Sequence, residues 1–224
     1  MKKNKIFVAC DSTNILKIKN IIQNTSHSKI KFGYKFGLEF LNSKNGRKFV
    51  SSLKKRVIFA DLKLHDIPNT CVSTIRSIQD LKVDYLTIHI SSGLEALKNC
   101  KKVSGKTKLV GVTILTSLDN KALKEIGFNR NVKKLVLHQA KLANKAKLDA
   151  IVCSAQEIKL VKKIFKREII TPGIRFTKKT NDQKRVLTPK EAYANGADWL
   201  VIGRDLTRGN IKKNTQILVD HLNQ

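Results

Sequence analysis

The sequence predicts a (β/α)₈ barrel, or TIM barrel, formed by a single domain over residues 1–224. Polar stretches with helical spacing separate short apolar runs, and strict alternation of strands and helices indicates a parallel sheet. Eight repeats in 224 residues suit a closed barrel better than a doubly wound sheet, and neither GxGxxG nor GxxxxGKS/T occurs. The runs, rich in Ile, Val, Leu and Phe, lie at 6–10, 32–36, 57–62, 85–90, 109–114, 149–153, 168–170 and 199–202.

Two of the intervening segments carry apolar residues along one helical stripe. They are TCVSTIRSIQDL at 70–81 and NVKKLVLHQAKLANKA at 131–146, so the spacing predicts a helix over each. The apolar positions are Val72, Ile75, Ile78 and Leu81 in the first, and Val132, Leu135, Leu142 and Ala146 in the second. No linker, repeat or low-complexity segment divides the chain.

The composition predicts a folded cytoplasmic protein without a membrane span. Apolar residues make up 41% of the chain and charged residues 28%. The start, MKKNKIFVACDS, has only a short apolar run that leads into Asp11, which indicates a first strand rather than a signal peptide. The 4 cysteines form no CxxC pair, and Cys10 and Cys153 lie in strand-like runs, as expected of reduced core thiols.

The formal net charge of +28 could accompany a nucleic-acid surface or an anionic small-molecule substrate. Lysines far outnumber arginines and are spread along the chain, and there is no RNP-like aromatic motif, zinc spacing or Arg-rich helix. We interpret the excess as a solvated, Lys-rich surface and expect no specific nucleic-acid recognition. Weak, salt-sensitive binding to RNA or DNA stays open.

The stretch FADLKLHDIPNT places two carboxylates and an ammonium in an otherwise apolar strand. Because a strand alternates faces, Asp61 and Lys63 point the same way. The active site of such a barrel lies at the C-terminal ends of the strands. Asp11 ends the first run, Lys35 lies in the second, and Asp66 follows the third. The sequence therefore predicts a charged site at the barrel mouth.

A salt bridge at a strand end is the alternative interpretation of Asp61 and Lys63. However, a charged pair that faces a barrel interior costs desolvation free energy unless further partners satisfy it, and Asp66 and Lys35 would supply them. Such an array keeps Lys63 protonated beside carboxylates. This favours a proton donor over a Schiff-base nucleophile.

Two motifs near the end of the chain predict a phosphate site, because such barrels bind phosphate after their last two strands. In VIGRDLT, backbone amides near Gly203 and the guanidinium of Arg204 could hold a dianion, and Arg175 of TPGIR could add a second charge. The polar stretch between the motifs is interpreted as a mobile loop in which Gln183 closes over the phosphate. A plain turn and a plain surface loop stay open as alternatives.

The remaining candidate residues have simple structural interpretations. His89 and His138 are interpreted as structural, and no spacing of His, Asp and Glu predicts a metal site. Thr116 and Ser117 end the fifth run, over the mouth, and alternatively cap the helix that follows. Trp199 is predicted to lie in the core.

Several stretches follow one another in the order of a known family: VACD, YKFGLEF, FADLKLHDIPNT, VTILTS, VCSAQE, TPGIR and DQKRVLTPKEAYANGADWLVIGR. Over nearly its whole length the chain resembles the orotidine 5′-monophosphate decarboxylase family in its bacterial form. The bare D-x-K-x-x-D pattern is shared with related sugar-phosphate barrels, whereas IPNT and the closing block are more specific. Cys10, where leucine is common, and Lys147 and Ala150, where glycines are common, depart from the family pattern away from the chemistry.

The resemblance implies decarboxylation of orotidine 5′-monophosphate to uridine 5′-monophosphate in de novo pyrimidine biosynthesis, without cofactor or metal. Lys63 would protonate C6 as CO₂ leaves, with Asp61 beside the departing carboxylate and Asp66 completing the array. It also implies a homodimer in which Asp66 and Thr70 reach into the partner's site. The other implied substrate-binding residues are Asp11 and Lys35 for the ribose, Thr116 for the base, and Arg175, Gln183, Gly203 and Arg204 for the phosphate and closing loop.

Two alternatives remain. One is a metal-dependent sugar-phosphate decarboxylase or aldolase on the same barrel, against which IPNT and the closing block argue. The other is a non-catalytic basic barrel that binds nucleic acid, against which the intact Asp61, Lys63 and Asp66 argue.

Overall fold

The apolar runs form the parallel strands of a closed barrel in the computed structural model, which describes residues 4–176 and 187–223. Each strand pairs with the next along the chain, and β8 pairs with β1, which confirms the predicted fold class. The strands are β1 (Asn4–Ala9), β2 (Ile30–Gly37), β3 (Val57–Leu64), β4 (Tyr85–His89), β5 (Lys108–Val112), β6 (Ala150–Val152), β7 (Glu168–Thr171) and β8 (Trp199–Ile202).

Helices surround this barrel and cover its outer face. The helix predicted over 131–146 is confirmed, whereas that over 70–81 ends at Ser77 and is followed by a separate 3₁₀ turn at Gln79–Leu81. The helices are α1 (Ile15–Asn24), α2 (Leu38–Leu41), α3 (Gly46–Ser52), α4 (Pro68–Ser77), α5 (Leu94–Val103), α6 (Asn120–Glu125), α7 (Val132–Lys145), α8 (Ile158–Ile164), α9 (Pro189–Ala194), α10 (Arg204–Thr207) and α11 (Ile211–Asn223). A second 3₁₀ turn spans Ile90–Ser92.

Aromatic side chains fill the barrel interior. Phe7 stacks on Trp199 with ring centroids 4.0 Å apart, and it meets Phe59 at 4.9 Å and the edge of Tyr85 at 5.2 Å. All four rings are buried, so the prediction that Trp199 lies in the core is confirmed. Because these four rings pack against one another inside the barrel, the interior is a packed core and not a pore.

A charged network closes the N-terminal end of the barrel. The Glu168 carboxylate accepts hydrogen bonds from Lys108 Nζ at 2.9 Å, from the Tyr85 hydroxyl at 2.9 Å and from Lys5 Nζ at 3.2 Å. The Tyr85 hydroxyl in turn accepts a bond from Trp199 Nε1 at 3.1 Å. Because this network closes the N-terminal end of the barrel, a ligand would bind at the opposite end, where the strands terminate.

Aspartates join neighbouring strands at the same N-terminal end. Asp84, Asp149 and Asp198 immediately precede β4, β6 and β8. Each carboxylate accepts a backbone N–H from the preceding strand, at 2.8 Å, 2.8 Å and 2.9 Å. An aspartate side chain thus ties each of the strand pairs β3–β4, β5–β6 and β7–β8 at its N-terminal end.

We expect Phe7→Ala to lower the free energy of unfolding by about 3–5 kcal/mol, because it removes the ring on which three other aromatic rings pack. Urea denaturation measures this loss. Phe128→Ala, which removes a partly exposed ring outside the barrel interior, serves as the control. Equal denaturation midpoints for the two variants would show that the interior stack does not stabilise the barrel.

The chain contains no helix, among its described residues, that is long and apolar enough to cross a membrane. The cysteines Cys10, Cys71, Cys100 and Cys153 are all free thiols and all buried. Burial raises the pKa of the Cys100 thiol to about 12, with a smaller contribution from the neighbouring Cys71. These thiols are therefore core side chains rather than nucleophiles.

Candidate active site

Charged side chains of alternating sign converge at the C-terminal ends of three neighbouring strands. Asp11 follows β1, Lys35 lies near the end of β2, and Asp61 and Lys63 lie near the end of β3. Asp61 Oδ2 lies 2.8 Å from Lys63 Nζ and 3.3 Å from Lys35 Nζ. Lys35 Nζ also lies 3.5 Å from Asp11 Oδ1. We call these four residues the charged array.

Mutual attraction keeps Asp61 and Lys35 ionised despite their burial. Desolvation alone would raise the pKa of Asp61, but the Lys35 and Lys63 ammonium groups outweigh it and hold that pKa below its usual value. Desolvation alone would likewise lower the pKa of Lys35, but Asp61 and Asp11 outweigh it and raise that pKa. Asp61 and Lys35 therefore form a fixed ion pair within the array at neutral pH.

A bulge in β3 shapes the array. The pairing of β3 with β4 is regular up to Ala60 and resumes at Leu64, and between these points β3 has the stretch from Asp61 to Lys63 where β4 has one residue. β3 therefore has two residues more than β4 between these points. Two residues are one full period of a strand, so the alternation of faces continues across the bulge. Lys63 has a φ of +48°, in the left-handed region that non-glycine residues rarely occupy.

Asp66 and Thr70 lie outside the charged array of their own chain. Both residues are exposed, and Asp66 Oδ1 accepts the backbone N–H of Ile67 at 2.7 Å. Ile67 itself is 67% exposed. Within one chain, Asp66 therefore forms no ion pair with Lys35 or Lys63, although the sequence predicts that it completes the array.

The motifs TPGIR and VIGRDLT, which carry three of the predicted phosphate residues, meet beyond the ends of β7 and β8. Arg175 Nη1 donates to Asp205 Oδ1 at 2.8 Å, and the other Asp205 oxygen accepts the backbone N–H of Phe176 at 3.0 Å. Gly203 precedes α10, which begins at the exposed Arg204. The structure thus brings the two arginine-bearing motifs together through an aspartate that the sequence analysis did not single out.

The predicted closing loop lies mainly outside the described residues, and Gln183 is among those left out. The end of that polar stretch is described. Leu187 forms a β-bridge with Ile174, and Thr188 caps α9 through a capping box with Glu191.

A cavity of about 410 Å³ opens at the ends of β5, β6 and β7, and no residue of the charged array lines it. Its lining includes Thr116, Ser117, Ser154 and Gly173. The suggestion that Thr116 and Ser117 cap the next helix is wrong, because Asp119 caps α6 by accepting the backbone N–H of Ala122 at 2.9 Å. The two hydroxyls are thus left for another role at the mouth.

The two histidines interpreted as structural have different positions. His138 is exposed on α7, whereas His89 ends β4 at the mouth, with its ring centroid 5.0 Å from that of His65. Burial, His65 and Lys63 together lower the pKa of His89. His89 is therefore a neutral side chain beside the array at neutral pH.

This fold and this site define a (β/α)₈-barrel enzyme that concentrates charged groups where its strands end. The model of the "Orotidine 5'-phosphate decarboxylase / HUMPS family" matches residues 4–215. The chain belongs to this family.

Named relatives agree with the family match. An orotidine 5'-phosphate decarboxylase of Wolbachia sp. subsp. Brugia malayi (strain TRS) is 43% identical over 224 residues, which cover 96% of this chain and 97% of that protein. One from Carboxydothermus hydrogenoformans is 40% identical over 215 residues, which cover 90% of this chain and 88% of that protein. The crystal structure of orotidine 5'-phosphate decarboxylase from Lactobacillus acidophilus matches with a TM-score of 0.84 and 28% identity, over 99% of this chain and 100% of that one.

Proposed function

We propose that this chain, as a single barrel domain over 1–224, decarboxylates orotidine 5′-monophosphate to uridine 5′-monophosphate and CO₂ in pyrimidine biosynthesis. The observation that carries the proposal is the charged array, in which Asp61 lies 2.8 Å from Lys63 and 3.3 Å from Lys35 at the barrel mouth. The three named relatives support the substrate, because each is called orotidine 5'-phosphate decarboxylase.

Fixed charges suit this reaction because the bond between C6 and the carboxylate breaks without an evident electron sink. The electron pair stays on C6, and an ammonium already in place stabilises it. Lys63 Nζ then donates its proton to C6, and the neutral amine regains a proton from solvent. Asp61 lies beside the departing carboxylate and keeps Lys63 oriented.

The rest of the substrate occupies the mouth between the array and the last two strands. Asp11 and Lys35 bind the ribose hydroxyls, and Thr116 in the cavity wall binds the base. The phosphate lies near Gly203 and α10, with the remaining implied contacts from Arg175, Gln183 and Arg204. Binding free energy from this remote group organises the reacting end of the site.

We further propose a homodimer that shares its sites. Asp66 and Thr70 are exposed and flank Ile67, whose apolar side chain is 67% exposed. Burial of this side chain would stabilise a subunit interface, and the resemblance implies that Asp66 and Thr70 reach into the partner's site. Four free, buried thiols support a reducing, cytoplasmic setting.

The metal-dependent alternative is tested with chelator. We expect turnover of orotidine 5′-monophosphate to survive exhaustive treatment with EDTA, because the Asp11 and Asp61 carboxylates are paired with lysine ammonium groups. Loss of turnover with EDTA and its return with Mg²⁺, or turnover of a hexulose 6-phosphate instead, would favour the sugar-phosphate enzyme. Salt-sensitive RNA binding without any turnover would favour the non-catalytic barrel.

A further inference from the structure

The bulge that carries Asp61 and Lys63 lies opposite a single residue of β4, Thr87. The side chain of Thr87 is fully buried. Its Oγ1 accepts the backbone N–H of Lys63 at 2.7 Å and donates to Asp61 Oδ1 at 3.2 Å. One hydroxyl therefore contacts the backbone of one array residue and the carboxylate of the other.

These two bonds address two separate problems at the bulge. The Lys63 backbone leaves the regular ladder, so its partly buried N–H needs a partner outside that ladder. The left-handed φ of +48° is costly for a lysine and persists only where its surroundings determine it. The Thr87 hydroxyl has a single proton, and donation to Asp61 leaves its lone pairs free for the Lys63 N–H.

We propose that Thr87 is a positioning residue for the decarboxylation, which holds the β3 bulge so that Lys63 and Asp61 face the reacting carbon together. This inference rests on the proposed function. Thr87 does not touch the reacting atoms; it acts through the backbone of Lys63 and through Asp61. Without the hydroxyl, Lys63 loses the bond that supports its left-handed backbone, and its ammonium shifts from its place 2.8 Å from Asp61.

The main test compares Thr87→Val with Thr87→Ser. Valine keeps the β-branched shape and removes both bonds, whereas serine keeps the hydroxyl and removes only a methyl group. We expect Thr87→Val to lower kcat roughly 100-fold, as for a misplacement of about 1 Å, with little change in KM. Binding of uridine 5′-monophosphate should change little, because the ribose and phosphate contacts lie elsewhere. Thr87→Ser should keep most of the turnover.

The acid limb of the pH profile of kcat distinguishes a positioning role of Thr87 from a purely structural one. Asp61 faces Lys35 and Lys63, and Asp11 and His89 complete the charged and titratable surroundings. Loss of a hydrogen bond to the charged carboxylate raises the pKa of Asp61. The acid limb of kcat should therefore move to higher pH in Thr87→Val and stay in place in Thr87→Ser.

Thr215→Val is the matched control for stability. Its hydroxyl is also buried and shares its proton between the Ile211 and Asn24 carbonyls, on the outer helix α11 rather than in a barrel strand. We expect this variant to lose stability but not kcat. If Thr87→Val does not fold, Thr87→Ala removes the same hydroxyl without placing a methyl group against Asp61.

Absence of turnover by folded wild-type protein would defeat the proposed function itself. With an active wild type, unchanged kcat and an unchanged pH profile in the folded variant without the hydroxyl would overturn only the role of Thr87. Equal losses of kcat in Thr87→Val and Thr215→Val would also overturn it.

Discussion

Replacing Lys63 by alanine is expected to abolish decarboxylation, with kcat lower by at least about 10⁴-fold. The substitution removes both the proton donor and the charge that stabilises the carbanion. Lys63 Nζ lies 2.8 Å from Asp61, and Lys35, the other ammonium beside that carboxylate, already bridges Asp61 and Asp11. Lys35 therefore cannot take over both roles. Steady-state turnover of orotidine 5′-monophosphate measures the loss.

Lys82→Ala provides a matched control for that experiment. Lys82 has the same φ of +48° as Lys63, but it is an exposed residue at the end of the 3₁₀ turn Gln79–Leu81. Both substitutions therefore place alanine in the same left-handed backbone, and only one removes an ammonium from the array. Equal turnover by Lys63→Ala and Lys82→Ala would contradict the assigned role of Lys63.

Asp61→Asn is expected to lower kcat by at least about 10³-fold, because Lys63 loses the carboxylate that orients it. It should also lower the free energy of unfolding by about 3 kcal/mol, since two lysines then face each other without the buried charge between them. Asp149→Asn is the control. Asp149 is paired with Lys101 at 2.6 Å at the other end of the barrel, so its loss should affect stability alone.

The stability effect of Asp61 depends on pH in a defined direction. Its pKa is lowered in the folded chain, so its stabilising contribution is complete above the ordinary carboxyl range, about pH 4, and is lost as pH falls through the folded pKa. The difference in unfolding free energy between wild type and Asp61→Asn should therefore shrink in acid. A constant difference down to low pH would show that the carboxylate is not stabilised by its lysines.

The barrel could be predicted because each strand is a short apolar run buried on both faces. The same reasoning places Asp11, Lys35 and Asp61 at the strand ends, where the structure has them. It failed at 70–81, where α4 ends at Ser77 although the apolar spacing continues to Leu81. Apolar periodicity reports which face is buried and not whether the backbone bonds continue.

Other features of the site depend on contacts that periodicity does not encode. The bulge at Lys63 leaves the alternation of faces intact, so the sequence pattern carries no sign of it. Thr87, inside an apolar run, has no distinguishing neighbour in the sequence. Asp205 was missed because its role depends on Arg175, which is 30 residues away in the chain. Lys147 shows the opposite case. Glycine is common at this position in the family that the chain resembles, and the φ of Lys147 is +58°, in the left-handed region that favours glycine.

The most direct test uses orotidine 5′-monophosphate labelled with ¹³C in its carboxylate, incubated in D₂O with the purified wild-type chain and with Lys63→Ala. We expect the wild type to release labelled CO₂ and an equal amount of uridine 5′-monophosphate deuterated at C6, and folded Lys63→Ala to release neither. Absence of labelled CO₂ from folded, dimeric wild-type protein, or equal release by both proteins, would contradict this expectation.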